Sequence, residues 1–257
     1  MDFKKITEVL VTAKAVQYVM IAVLLIGAFF LPRLAVKQET EAARQEAMAE
    51  VQQLKDSQQS GGNAQAAKGT IVLDPGHGGD DPGMIGAGGI NEKKLNLIYA
   101  KKLQALLEAE GYRVVLTRET EEGLYDADAA HKKAQDMQRR VAIIAEEAPL
   151  ITVSIHQNSY QDPAVSGPQV FYYENSAEGQ KLAKSIQDSM NSELSEARSR
   201  VEKSNSSYYI LKRSQGTTVI VECGFLSNPE EEARLQEEAY QDRVCAAVCK
   251  GILQYLD

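Results

Sequence analysis

The first long hydrophobic feature of the chain lies near its amino terminus. Residues 15–31 are apolar except for Gln17, with lysines before the run and basic residues after it. At about 1.5 Å per residue, a helix over residues 15–36 would span the roughly 30 Å core of a bilayer. The pattern predicts a single transmembrane anchor, with residues 1–14 in the cytoplasm and the remainder outside it. A cleaved signal peptide is the alternative, but no small-residue cleavage site follows the run.

Two further patterns follow the anchor. Residues 37–69 are polar, first rich in Glu, Gln and Ala and then in Gly and Ser, which predicts a short helical stalk and a linker. From residue 70 the periodicity alternates between strands and helices. Strand patterns cover residues 70–74, 113–117, 150–155, 169–173 and 217–222, and helical patterns cover residues 92–110, 132–148, 177–199 and 241–256. This order predicts an α/β domain over residues 70–257 with a largely parallel sheet covered by helices on both faces.

Composition argues against a nucleic-acid-binding protein and against a disulfide-stabilised one. The chain has 28 Lys and Arg against 36 Asp and Glu, a net charge of −8, so it lacks the basic surface of a nucleic-acid-binding protein. Its three cysteines, Cys223, Cys245 and Cys249, are an odd number for an exported protein. We interpret them as small buried hydrophobic residues, because neither a disulfide framework nor a metal-type spacing is indicated.

Two histidines occupy equivalent places in this pattern. His77 lies in a Pro-Gly-His-Gly-Gly loop after the first strand, and His156 lies at the carboxyl end of the strand predicted over residues 150–155. Ligands of open α/β sheets gather beyond the carboxyl ends of the strands, so we expect the two imidazoles to meet. Two histidines and one carboxylate form the ligand set of a catalytic Zn²⁺, whose open fourth position holds a water that the metal acidifies. The pattern therefore favours a hydrolase.

The third ligand is expected to be a carboxylate. Glu92 opens the helix that follows the His77 loop, although a helix dipole would favour an acidic residue there for its own reasons. Asp74, Asp80 and Asp81 remain alternatives, either as ligands or as partners that orient a histidine. We favour Glu92.

A second carboxylate is a candidate for proton transfer. Glu222 ends the apolar strand pattern at residues 217–222, where burial would raise its pKa toward neutrality. It could then take a proton from the zinc-bound water and pass it to a leaving nitrogen, whereas a solvated strand end is the alternative. The third histidine, His131, is assigned to the surface. Of the adjacent Arg139 and Arg140, one is expected to steady its helix against an acidic group and the other to be solvated.

Four motifs in this order resemble one family. They are residues 74–79 (Asp-Pro-Gly-His-Gly-Gly), Glu92, residues 154–159 (Ser-Ile-His-Gln-Asn-Ser) and residues 221–228 (Val-Glu-Cys-Gly-Phe-Leu-Ser-Asn). Together they resemble the zinc-dependent N-acetylmuramoyl-L-alanine amidases of the Amidase_3 type, from about residue 70 to the end of the chain. A membrane segment followed by one catalytic domain without wall-binding repeats is similar to the germination-specific, CwlD-type members of spore formers.

The resemblance implies a fold, a cofactor and a reaction. It implies a twisted sheet of about six strands flanked by helices, and a Zn²⁺ ion held by His77, Glu92 and His156. Glu222 is then the catalytic acid/base. The implied reaction is hydrolysis of the amide between N-acetylmuramic acid and the L-alanine of the peptidoglycan stem peptide. In the germination-specific type this step prepares muramic lactam in the spore cortex, and an activator protein is an expected partner.

Two other functions stay open, and the chain departs from the family in two places. A zinc carboxypeptidase on a related fold would need an arginine clamp for a free carboxylate, and an inactive wall-binding or activator protein would not need Glu222. Residues 119–137 form a longer segment than many members have, which could line the groove or receive a partner. Gln157 and Ser159 stand where many members have alanine, so contacts on the groove floor are expected to differ.

Overall fold

The computed structural model describes residues 67–257 of the chain. The predicted cytoplasmic segment, the anchor at residues 15–36 and nearly all of the stalk and linker lie outside the described residues, so these remain predictions. Between residues 67 and 257, no helix has both the length and the apolar character needed to cross a membrane.

Strands and helices alternate along the described chain. The strands are β1 (Thr70–Pro75), β2 (Arg113–Leu116), β3 (Ile151–Asn158), β4 (Gln169–Tyr173), β5 (Lys203–Asn205) and β6 (Thr217–Phe225). The helices are α1 (Glu92–Ala109), α2 (Lys132–Glu147), α3 (Ala177–Glu193), α4 (Tyr209–Arg213), α5 (Pro229–Leu235) and α6 (Glu238–Leu256).

The strands form one sheet in the order β2-β1-β3-β6-β4-β5. β2, β1, β3 and β6 pair in parallel, β4 runs antiparallel to β6, and β5 runs parallel to β4. The prediction of an α/β fold with a largely parallel sheet of about six strands is therefore confirmed. The single reversal lies between β6 and β4, toward one edge of the sheet.

Hydrophobic clusters cover both faces of the sheet. In β1, Ile71 and Leu73 belong to a large cluster with residues of α1, α3 and α6, whereas Val72 belongs to a smaller cluster with residues of α2 and α4. Because successive strand residues point to opposite faces, these clusters lie on the two sides of the sheet. Helices thus cover both faces, as predicted. The three cysteines are buried and free, which confirms their interpretation as small buried residues.

Several boundaries differ from the predicted ones. β3 continues to Asn158 and β6 to Phe225, so the residues expected at two strand ends lie inside strands. α3 ends at Glu193, short of the predicted residue 199. β5, α4 and α5 are additional elements of three, five and seven residues, which are too short to show a helical or strand period.

Candidate active site

Strand register brings the candidate residues to one edge of the sheet. In the parallel pair of β3 and β6, His156 lies directly opposite Glu222. Just beyond β1, the Gly76 N–H donates to the Ile155 carbonyl at 3.0 Å, so the next residue, His77, lies beside β3. The two histidine rings are 5.0 Å apart between centroids and nearly perpendicular. The expectation that the histidines meet near the carboxyl ends of parallel strands agrees with this geometry.

Glu92 lies between the two imidazoles. Its Oε2 is 3.1 Å from His77 Nε2, and its Oε1 is 2.9 Å from His156 Nδ1. One donor atom from each of the three residues lies within 4.8 Å of the others. Two imidazole nitrogens and a carboxylate oxygen at this spacing fit the three protein ligands of a catalytic zinc ion, and the described chain offers no other such cluster.

At two glycines the backbone lies too close to the cluster to admit a side chain. A Cβ added to Gly76 would lie 2.2 Å from atoms of the His156 ring, and one added to Gly83 would lie 2.4 Å from Glu92 Oε2. His77 itself has a φ of 62°, in the left-handed region that few non-glycine residues adopt. The loop conformation therefore determines where these side chains lie. The unfavourable φ of His77 must be offset by other contacts of the loop.

Two buried arginines hold this loop. Arg140 donates to the carbonyls of Pro75 and His77, and Arg118 donates to the carbonyls of Pro75 and Gly76 at 2.9 and 2.8 Å. Three successive loop carbonyls thus have cationic donors, which form stronger hydrogen bonds than neutral groups do. Arg140 also pairs with Asp136 of its own helix, so it steadies α2 against an acidic group as expected. Its neighbour Arg139, which was expected to be solvated, makes an exposed ion pair with Asp126.

The three alternative carboxylates have separate roles. Asp81 Oδ2 lies 3.1 Å from His77 Nδ1, the geometry of a partner that orients the imidazole. Asp80 is exposed and pairs with a lysine. Asp74 is buried and pairs with Arg140 at 2.7 Å. Neither Asp74 nor Asp80 contributes to the described cluster of candidate ligands.

The cluster is electrostatically coupled. Burial disfavours ionisation of Glu92, but hydrogen bonds with His156 and His77 outweigh it and hold the Glu92 pKa far below its usual range. Burial likewise disfavours the charged form of His156, yet the hydrogen bond to Glu92 raises the His156 pKa. Glu92 is therefore a carboxylate at neutral pH, which is the form that binds a metal cation.

The environment of Glu222 shifts its pKa in the opposite direction from that of Glu92. Burial raises its pKa to about 7, as expected for a carboxyl group in an apolar strand. Its Oε2 atom is buried without a hydrogen-bond partner among the described residues. A carboxyl group with a pKa near neutrality and a free oxygen is suited to accept and release a proton.

These side chains line a cavity of about 840 Å³. The longer segment of residues 119–137 contributes Tyr125, Lys132 and Lys133 to its wall. α4 and the residue before it contribute Tyr208 and Tyr209, which no sequence pattern singled out. Adjacent tyrosines after a polar stretch were the available signal. Gln157 and Ser159 also line the cavity, whereas His131 is exposed, as predicted.

Comparisons with known proteins agree in sequence and in structure. The Amidase_3 family model, described as N-acetylmuramoyl-L-alanine amidase, matches residues 71–254. The germination-specific N-acetylmuramoyl-L-alanine amidase of Bacillus subtilis is 37% identical over 188 residues, which cover 72% of this chain and 78% of that protein. The amidase LytC of the same organism is 31% identical over 72% of this chain, but the match spans 35% of LytC. The CwlD amidase from Clostridioides difficile, solved in complex with the GerS lipoprotein, superposes with a TM-score of 0.71 at 34% identity, over 74% of this chain and 98% of that one.

Proposed function

Because the chain belongs to the Amidase_3 family of N-acetylmuramoyl-L-alanine amidases, we propose that His77, Glu92 and His156 hold a catalytic zinc ion beside Glu222. The chain is a peptidoglycan hydrolase. The bond it cleaves links the lactyl carbonyl of N-acetylmuramic acid to the L-alanine of the stem peptide. The convergence of three donor atoms within 4.8 Å carries the zinc proposal. When bound, zinc polarises an amide carbonyl and lowers the pKa of a coordinated water.

Glu222 moves the proton in this proposal. With a pKa of about 7, it accepts a proton from the attacking water while the new C–O bond forms. It then donates that proton to the alanine nitrogen as the C–N bond breaks, which leaves a free amine and a carboxylic acid that ionises at neutral pH. The register that sets Glu222 opposite His156 supports this role, since it keeps the acid/base beside the ligands.

Other residues hold the ligands or meet the substrate. Asp81, at His77 Nδ1, keeps Nε2 directed toward the cluster. The cavity of about 840 Å³ is large enough for a sugar and the first residues of a peptide. Lys132 and Lys133 in its wall pair with Asp80 and Asp81. Tyr208 and Tyr209 are suited to the face of a sugar ring.

No observation favours either alternative, a zinc carboxypeptidase or an inactive wall-binding or activator protein. Arg140 is the only arginine among the described residues that line the cavity. Its guanidinium already bonds Asp74, Asp136 and loop carbonyls. It therefore offers no clamp for the free carboxylate of a carboxypeptidase substrate. An inactive wall-binding protein would have no need of a buried acid/base at position 222.

We further propose that the enzyme acts in the spore cortex, in muramic lactam formation. The identity of 37% with a germination-specific amidase supports this role. The complex of the CwlD amidase with the GerS lipoprotein supports an activator protein as a partner of this chain. An anchor at residues 15–36 would hold the domain at the outer face of the cell membrane.

The test compares the parent full-length protein with a Glu222→Gln variant. Both are loaded with zinc and incubated with cortical and vegetative peptidoglycan, with and without a candidate activator lipoprotein. Products are identified by mass spectrometry, and zinc content is measured in parallel. The parent should release intact stem peptides. The variant should retain zinc but lose turnover by roughly 10²–10⁴-fold, because only the proton shuttle is removed.

A Glu178→Gln variant provides the control, because this carboxylate is exposed on α3 and remote in sequence from the cluster. It should keep parental activity. Turnover by Glu222→Gln near the parental rate would contradict the role of Glu222. Release of single amino acids in place of whole stem peptides would indicate a carboxypeptidase.

A further inference from the structure

We propose that Asn96 is a positioning residue that connects the three candidate zinc ligands, an inference that rests on the proposed zinc site. Asn96 lies on α1 one helical turn after Glu92. Its side chain is fully buried. It cannot reach the substrate, so any effect it has on the site must act through the ligands.

The amide of Asn96 contacts all three ligand-bearing segments. Its nitrogen donates to Glu92 Oε1 at 3.2 Å and to the Gly76 carbonyl at 3.1 Å. Its oxygen accepts a longer hydrogen bond of 3.4 Å from Gln157 Nε2. Gly76 and Gln157 are the chain neighbours of the two candidate histidine ligands. One side chain thus touches the ligand carboxylate and the backbone or side chain next to each imidazole.

These contacts fit a carboxamide better than other buried groups. A carboxamide has two N–H donors and one acceptor oxygen, and here both donors and the acceptor are used. A hydroxyl group has a single donor, so it could serve only one of the two acceptors. Glu92 Oε1 also accepts from the Gln157 backbone N–H at 3.1 Å, so two donors fix the rotation of the carboxylate. Partners of this kind orient the ligands of metal sites.

The surroundings of Asn96 argue against a purely structural role. Its neighbours on α1, Leu95, Tyr99 and Leu103, are packed in the large hydrophobic cluster. Burying a polar amide among them costs free energy that an apolar side chain of similar size would not cost. The amide is therefore best explained by what it holds, and its loss should change metal binding more than folding.

The test measures zinc affinity in the full-length protein. Zinc is removed by chelation and titrated back against a competing chelator, for the parent and for Asn96→Leu, which is close in size but cannot form hydrogen bonds. We expect the zinc dissociation constant to rise about 10–100-fold, the usual effect of losing an outer partner of a metal ligand. Circular dichroism of the metal-free proteins checks that both are folded.

The matched control is Gln187→Leu. Gln187 is also a fully buried amide, which accepts from the Val170 N–H at 2.9 Å and donates to the Pro168 carbonyl at 3.1 Å, but it does not line the cavity. Its loss should destabilise the fold by a similar amount and leave zinc affinity at the parental value. A general loosening of the core would lower zinc affinity in both variants, and that result would overturn the proposal.

A second variant covers the case in which Asn96→Leu does not fold. Asn96→Ser keeps a polar group at the position but has a single donor, so it should also weaken zinc binding. Parental zinc affinity in the folded Asn96 variants would overturn the role of Asn96 while leaving the zinc site intact. A parent protein that binds no zinc would instead refute the proposed function, and the role of Asn96 with it.

Discussion

The adjacent arginines of α2 allow a matched test of how the His77 loop is held. The side chains of Arg140 and Asp74 are 1% and 2% exposed and lie 2.7 Å apart. The side chains of Arg139 and Asp126 are 42% and 57% exposed and lie 2.8 Å apart. The two ion pairs have nearly the same distance and differ in burial. We predict that Arg140→Met is strongly destabilising and that Arg139→Met is not.

The size of the effect follows from the contacts of Arg140. Methionine keeps most of the apolar stem but removes the cation, so Asp74 becomes a buried charge without its ion-pair partner, and Asp136 loses the same partner. Removing one partner of a buried pair costs about 3–5 kcal/mol. The carbonyls of Pro75 and His77 lose donors as well, so we take about 4 kcal/mol as a conservative figure. For a domain of this size that corresponds to a midpoint lowered by roughly 8–16 °C.

Thermal unfolding followed by circular dichroism measures both variants. The exposed pair of Arg139 is screened by solvent, so its loss should leave the midpoint near that of the parent. An Asp74→Asn/Arg140→Met double variant also removes the more deeply buried of the two unpaired carboxylates, and should be more stable than the sum of the two single changes implies. Equal midpoints for Arg139→Met and Arg140→Met would refute the claim that the buried pair holds the loop.

Two other predictions concern Asp74 and Gly76. Burial opposes ionisation of Asp74, but Arg140 and two hydroxyl donors lower its pKa from 3.8 to about 2. A lowered pKa stabilises the fold at pH values above the unfolded value, so this contribution should be lost as the pH falls from about 4 toward 2, and acid unfolding of Asp74→Asn should be less steep in that window. Gly76→Ala would place a Cβ 2.2 Å from the His156 ring, so its zinc content after purification should fall. Gly88→Ala, whose Cβ would meet the end of a flexible side chain at 3.1 Å, should retain zinc, and equal zinc contents would contradict the steric argument.

Long elements could be predicted from the sequence because their periodicity is unambiguous. The pattern of α1 begins at Glu92 and that of β1 at Thr70, as the structure has them. The extensions of β3 and β6 were missed because polar residues interrupt the apolar pattern at His156 and Glu222. These polar residues are the ones that face the cavity, so local patterning failed where the site required a different residue type.

Contacts between distant segments were the part that the sequence could not supply. Asp74 and Arg140 are 66 positions apart, and their contact depends on the packing of α2 against the carboxyl end of β1. The choice of Asp81 as the partner of His77, among three neighbouring carboxylates, likewise depends on a loop conformation with a positive φ. Strand-end placement predicted that the histidines meet, but it could not identify the partners that hold them.

The start of α1 explains why a buried carboxylate is tolerated beside two imidazoles. Glu92 is the first residue of the helix, where the dipole favours a negative charge. Its Oε2 accepts from the Met84 N–H at 2.8 Å, and its Oε1 accepts from Asn96 and from the Gln157 N–H. The role in the helix dipole and the role as a ligand were alternatives in the sequence, but they are compatible in the structure. Much of the cost of desolvating and orienting this carboxylate is met during folding, so a metal ion would find it already in place.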